Sequence, residues 1–414
     1  MSRFQAKNSS SQKYECKVSS KSGVTSLTCT SSKQSDLPNQ ESETIAEADN
    51  QSLDIAQKFV ADIAAYQKSG RIPVFNPMQS GRHLVRAAAV LSAPVVGVRD
   101  NCLQYELATR DGLTVFLREW LKPNDGTPAL SRKHSVGTQS ILFLPGFPHT
   151  AMLDFKYQVT DRHLSKKYRI VTMEIRGHGG SSKPTSPGDY TEQKWADDIQ
   201  DAITLLQLNK VLLAGHSNGG RILTHYLNVY GDAALGGVAY IAAFSRHDLT
   251  NPTWVAADFD PKFLAIANGV FNLNNDEGDY YRACHTFADL SFWNEEHPPI
   301  RYREDILQTD SSMNPATRQA IMLPPSFCNN LSLQTVVKPA LVVHAKDNCG
   351  INKPKCEKSR DNLITVGHAV GNFNLLKTNS SYPVLRLVDG VGHFPHAERV
   401  EHFNEILSDF LESI

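Results

Sequence analysis

The stretch KVLLAGHSNGGRILTHYLNVY, residues 210–230, decides the fold. Val211–Ala214 is an apolar run of strand length, and Arg221–Tyr230 has the spacing of a helix. Between them stands Gly215-His216-Ser217-Asn218-Gly219, followed by Gly220. A serine set in a G-x-S-x-G turn between strand and helix reads as a nucleophile elbow. The reason is steric: a serine on so tight a turn takes strained dihedrals, and only small residues two before and two after it let strand and helix approach. The helix N-terminus beneath then favours developing negative charge.

Outward from this unit the same alternation recurs. Short apolar runs that end in glycine or a turn lie at 140–146 (SILFLPG), 169–177 (RIVTMEIRG), 238–244 (VAYIAAF), 339–345 (PALVVHA) and 384–390 (VLRLVDG). Trp195, Ile199, Ala202, Ile203 and Leu206 share one helical face, and so do Val400, Phe403, Ile406, Leu407 and Phe410. Ahead of them, LQYELATRDGLTVFLREWL (103–121) reads as a hairpin turning at Asp111-Gly112. An antiparallel start followed by alternating strands and helices predicts an α/β fold: a doubly wound, mostly parallel, eight-stranded sheet with helices on both faces. Residues 246 to about 336 break the alternation with many aromatics, Trp254, Phe292 and Trp293 among them, and read as a helical lid inserted before the acid-bearing strand.

Composition bounds the rest. The chain has 414 residues, 41% hydrophobic and 21% charged, with a formal net charge of −1. That is enough apolar content for a core, and the balanced charge gives no reason to expect nucleic acid or an anionic membrane as partner. The longest apolar candidate, 84–98, carries Arg86 and Pro94, so no integral membrane segment is expected. Residues 1–51 are expected to be a disordered Ser-rich tail, 52–98 a helical and irregular connector beginning at a helix capped by Ser52, and 99–414 the catalytic domain. The N-terminus lacks the apolar core of a secretory signal, and the seven cysteines are scattered without a CxxC pair. A cytoplasmic location follows as the expectation, with organelle targeting by the tail left open.

A serine hydroxyl needs a base, and the base needs an orienting acid. In chain order after Ser217, the candidates are Asp347, just past the strand-like run 339–345, and His393, between the last apolar run and the C-terminal helix. Both fall in loops at strand C-termini, where open α/β sheets place their sites. For the oxyanion of an acyl-transfer intermediate, the donors expected are the backbone N–H groups of Asn218 and of Phe147, in Pro145-Gly146-Phe147-Pro148-His149. His178 and His149 lie near this site and read as loop-bracing residues; Cys349 and Cys356 read as ordinary thiols. No cluster has zinc spacing, so neither metal nor cofactor is expected.

On LPGFPHT (144–150), EIRGHGGSSKP (174–184), WADDIQDAITLLQLNKVLLAGHSNGG (195–220), KPALVVHAKD (338–347) and VGHFPHAERVEHF (391–403), the region from about 103 to 414 resembles the α/β-hydrolases, in the branch of esterases, haloperoxidase-like and epoxide hydrolases. By position, the resemblance implies Ser217 as nucleophile, Asp347 as acid, His393 as base, and Phe147 and Asn218 as oxyanion donors. Serine departs from the aspartate nucleophile of epoxide hydrolases and dehalogenases. Pro145 replaces the histidine that often buttresses the oxyanion loop, and Glu174 replaces a strand-end aspartate. The expected function is a serine hydrolase acting on a small, largely uncharged carboxylic ester. The alternatives are a C–C bond hydrolase or perhydrolase on the same triad, or a hydrolase-fold protein that only binds a small ligand.

Overall fold

The computed structural model describes residues 2–7, 13–21, 24–31, 95–99, 101–246, 277–292, 300–322, 330–346, 361 and 363–414. Two compact units, Met1–Ser92 and Ala93–Ile414, divide the chain. The helix expected from Ser52 lies outside the described residues, as do Trp254, Trp293, Asp347, Cys349 and Cys356.

The first unit corrects one expectation. Part of the stretch read as a disordered tail forms an antiparallel sheet of three strands, β1 (Ser2–Lys7), β2 (Lys13–Lys21) and β3 (Val24–Ser31). Lys21 pairs with Val24, and the Ser-Gly pair between them in sequence is a two-residue hairpin signal. Tyr14, Cys16 and Val18 alternate with polar residues, a period-two pattern that Ser-rich composition hides.

The second unit is built on a nine-stranded sheet, ordered β12-β11-β10-β9-β7-β8-β6-β5-β4. Its strands are β4 (Val95–Arg99), β5 (Cys102–Ala108), β6 (Thr114–Trp120), β7 (Gln139–Leu144), β8 (Arg169–Glu174), β9 (Asn209–His216), β10 (Leu235–Ile241), β11 (Ala340–Ala345) and β12 (Pro383–Val388). These are the expected eight plus the edge strand β4, which falls in the stretch read as connector. Pairing is antiparallel from β4 through β5 and β6 to β8, and parallel from β8 onward through β7, β9, β10 and β11 to β12. The β5–β6 hairpin turns where Gly112 takes φ +85°, a conformation that glycine adopts without a side-chain clash.

Side chains alternate across the central strands, and both faces are covered. Leu142 and Leu144 of β7 and Val211 and Leu213 of β9 join a core with Trp195 and Ile199 of helix α1 (Glu192–Leu205) and Ile222, Leu223 and Tyr226 of helix α2 (Asn218–Tyr230). Ile141 and Phe143, with Leu212 and Ala214, face the other way onto Phe155, Val159, Phe403, Leu407 and Phe410. Strands buried on both faces read as continuous apolar runs, which is why β7, β9 and β11 were legible.

Between β10 and β11 the described residues include helices α3 (Glu277–Leu290), α4 (Ile300–Ser312) and α5 (Pro315–Met322). Ala288, Phe292, Tyr302 and Ile306 from this insertion pack with Phe394 and Ala397 in a small separate cluster. The insertion thus sits on the loop that carries His393. Among the described residues no helix is long and apolar enough to cross a membrane.

Candidate active site

Ser217 links β9 to α2 with φ +50° and ψ −118°. Its N–H donates to the Ile241 carbonyl at 3.1 Å, and its own carbonyl accepts from Gly220 N–H at 3.0 Å. A positive φ on a residue with a Cβ is uncommon and costs on the order of 1–3 kcal/mol, so the surroundings must impose it. The glycines supply the room. A Cβ on Gly215 would lie 2.4 Å from the Gly219 backbone, and one on Gly219 would lie 2.5 Å from the Leu144 carbonyl oxygen.

The loop at 145–149 presses on this turn. A Cβ on Gly146 would lie 3.0 Å from Ser217 Cβ and 2.8 Å from His216 Nδ1. Phe147, next in the loop, is buried. Asn218 is the first residue of α2, a position whose N–H has no acceptor within its own helix.

His393 sits in the loop after β12, fully buried, with Nδ1 3.0 Å from Asp361 Oδ2. A carboxylate oxygen only accepts, so Nδ1 carries the proton and Nε2 keeps a lone pair. The backbone holds the loop from two sides: His393 N–H donates to the Ser291 carbonyl at 2.8 Å, and the His393 carbonyl lies 3.0 Å from His216 Nε2. Burial pushes the His393 pKa below the ordinary histidine value, with Asp361 opposing it only in part. The ring is therefore neutral at pH 7.

Asp361 differs from the acid expected. Asp347 lies outside the described residues, and the carboxylate at His393 is Asp361. Among the described residues, Asp361 is the carboxylate that accepts from His393 Nδ1. Its other oxygen, Oδ1, accepts from Leu363 N–H at 2.9 Å and Ile364 N–H at 3.0 Å. Burial alone would raise this carboxyl; His393 and these hydrogen bonds outweigh it and hold the pKa below the usual range. The signal in the sequence is Asp361-Asn362-Leu363-Ile364-Thr365, an aspartate ahead of two apolar residues that bury and a threonine that caps the following helix, Val366–Leu376.

The bracing residues behave as scaffolding. His178 is buried with Nδ1 3.3 Å from the Arg176 carbonyl, and burial pushes its pKa down to about 3. Arg176 is itself held by Asp198 and Asp111. Glu174 takes Arg118 on one oxygen at 2.8 Å and the Ala151 N–H on the other at 2.9 Å, which ties β8 to the segment after the oxyanion loop.

Missing from the sequence reading is Asp154. Its Oδ2 accepts from Gly146 N–H at 2.6 Å and from His216 Nδ1 at 2.9 Å, and its Oδ1 lies 3.0 Å from His149 Nδ1. His149, Asp154 and His216 also form the one group among the described residues with ligand atoms close enough to suggest a metal. Ligands about 2.0–2.1 Å from a tetrahedral zinc stand about 3.3 Å apart or more, wider than the 2.9 Å hydrogen bond from His216 and the 3.0 Å contact from His149 to this carboxylate.

Residues 139–348 match the family model for the alpha/beta hydrolase fold, a little over half of the chain. Over 170 residues, 39% of this chain and 52% of the other, the sequence is 30% identical to the non-heme chloroperoxidase CPO-A1 of Kitasatospora aureofaciens. Over 82 residues, 20% of this chain and 22% of the other, it is 35% identical to epoxide hydrolase 3 of Xenopus tropicalis. The matched stretches thus span about half or less of those relatives' own length. Among solved structures, the esterase RhEst1 from Rhodococcus sp. ECU1013 superposes with a TM-score of 0.60 at 18% identity, covering 76% of this chain and 99% of that one. At that identity the likeness speaks to the fold alone.

Proposed function

The chain belongs to the alpha/beta hydrolase fold family, and from that premise we propose that it is a serine hydrolase of small, largely uncharged carboxylic esters, working through Ser217, His393 and Asp361. The observation that carries the reading is the strained Ser217 backbone, φ +50°, which a packing helix does not require and a presented nucleophile does.

In this reading Ser217 Oγ attacks the ester carbonyl carbon while its proton passes to His393 Nε2. Asp361 keeps the imidazole in the Nδ1–H tautomer and stabilises the imidazolium. The Phe147 and Asn218 N–H groups receive the oxyanion. Collapse expels the alcohol, which takes the proton from His393 and leaves an acyl-serine. A water deprotonated by His393 then attacks the acyl carbon, and the second collapse releases the acid and restores Ser217. Serine at the nucleophile position speaks against epoxide opening, which proceeds through an aspartyl ester in the epoxide hydrolases this chain resembles.

The similarity to a chloroperoxidase supports a second reading, perhydrolysis, in which hydrogen peroxide replaces water at the acyl-serine and a peracid leaves. A series of p-nitrophenyl esters of increasing acyl length, assayed with and without peroxide, tests both readings. Ester turnover that Ser217→Ala abolishes supports hydrolysis, and peroxide-dependent peracid formation lost in the same variant supports perhydrolysis. Turnover that survives Ser217→Ala would remove both.

A further inference from the structure

Three loops must hold their relative places for such a site to work: the oxyanion loop at Gly146, the serine turn and the loop of His393. One carboxylate and one imidazole touch all three. Asp154 closes a short helix, Ala151–Asp154, whose first N–H is fixed on Glu174. It is completely buried, and its Oδ2 takes both the Gly146 N–H at 2.6 Å and His216 Nδ1 at 2.9 Å. His216 immediately precedes Ser217, is equally buried, and reaches the His393 carbonyl with Nε2 at 3.0 Å.

The proton count follows from the acceptors. A peptide carbonyl cannot donate, so Nε2 of His216 carries a hydrogen. One more proton lies between Nδ1 and Asp154. Although burial alone would raise the Asp154 carboxyl, His216 and His149 outweigh it and hold it well below the ordinary range.

We propose that Asp154 and His216 form a buried hydrogen-bonded pair that serves as a positioning device for catalysis, locking the oxyanion loop and the His393 loop onto the serine turn. Asp154 takes over the buttress that histidine supplies where Pro145 stands in related oxyanion loops. Neither residue exchanges protons with substrate. The ring lies close under Gly146, where an added Cβ would come within 2.8 Å of Nδ1, so displacing it releases the loop that carries Phe147. A buried charge left without its partner is strongly unfavourable, so the two stand or fall together.

This inference rests on the hydrolase reading for its kinetic consequence but not for the contact between the two residues, and the test separates them. In the full chain, Asp154→Ala and Asp154→Asn are compared with wild type for ester kinetics and for the rate of labelling by a fluorophosphonate. Asp154→Ala is expected to lose about 100-fold in kcat, in the range seen when an oxyanion donor is removed, with KM within about threefold. Asp154→Asn, which can still accept from Gly146 N–H, is expected to recover part of that loss. Nitrogen-15 NMR is expected to show the His216 Nδ1 signal of wild type displaced in both variants. A folded Asp154→Ala variant with kcat within twofold of wild type would overturn the proposal, and so would a His216 Nδ1 signal unchanged in both variants. If wild type shows no Ser217-dependent labelling, the hydrolase reading fails, and the NMR result still decides whether the pair exists.

Discussion

Asp361 meets His393 with one carboxylate oxygen, 3.0 Å from Nδ1, while its other oxygen is held by two backbone N–H groups of its own turn. The carboxylate is thus held from both sides, by the imidazole and by its own turn. Replacing it with asparagine keeps the shape but allows the amide to donate, which favours the wrong imidazole tautomer. Asp361→Asn is expected to lower kcat by about 1,000- to 10,000-fold with little change in KM. Asp347→Asn is expected to stay within about threefold of wild type. Steady-state ester kinetics on the two variants check this.

The pH dependence of activity follows from the His393 ring, which accepts a proton only when neutral. Its pKa lies below the ordinary histidine value, chiefly through burial. The acid limb of the activity profile is therefore expected to be centred below about pH 6.5, the unperturbed histidine value. A kcat/KM profile with an acid limb centred above that value would contradict the assignment.

Stability should weaken in acid by a related route. Burial holds His178 at about 3, so below about 6.5 the unfolded chain binds a proton that the folded protein refuses. The stability gap narrows as pH falls from about 6.5 toward 3. Asp154 and Asp361, both depressed, add their own loss further down, below the ordinary carboxylate value of about 3.9. Asp198, raised to about 6, and Glu174, raised by burial, act in the opposite sense, so the informative quantity is a difference. His178→Gln cannot charge, and its Tm is expected to fall less steeply than that of wild type between pH 7 and pH 4.5 in a thermal melt series.

Two glycine-to-alanine substitutions should move stability in opposite directions. At Gly215 the new Cβ would meet the Gly219 backbone at 2.4 Å, and neither element can retreat without breaking the serine turn. A loss of about 3 kcal/mol or more is expected from such overpacking. Gly371 lies on an exposed position of the helix Val366–Leu376 with open space around it, and alanine there is expected to add about 0.5–1 kcal/mol. Urea denaturation of both variants provides the measurement.

The sequence made the local parts of this molecule legible. The serine turn lies within one strand–turn–helix unit, and strands buried on both faces announce themselves as apolar runs. His393 was legible because it sits immediately before the C-terminal helix. Asp361 was not, since it lies well past the end of β11 and its meaning comes from a partner 32 residues away. Asp154 was less visible still: its partners are 8 and 62 residues away in sequence, and a polar residue in a short helix resembles any surface turn. The strands at 2–31 were missed because low-hydrophobicity composition was weighed above period-two alternation.

The central claim is that Ser217 is the nucleophile, and intact-mass analysis after exposure to a fluorophosphonate tests it most directly. The account predicts one phosphonyl adduct on the wild-type chain, mapped to the peptide containing Ser217, and none on Ser217→Ala. A wild-type chain that takes up no adduct under conditions that label a known serine esterase, or a Ser217→Ala chain labelled as readily as wild type, would contradict it.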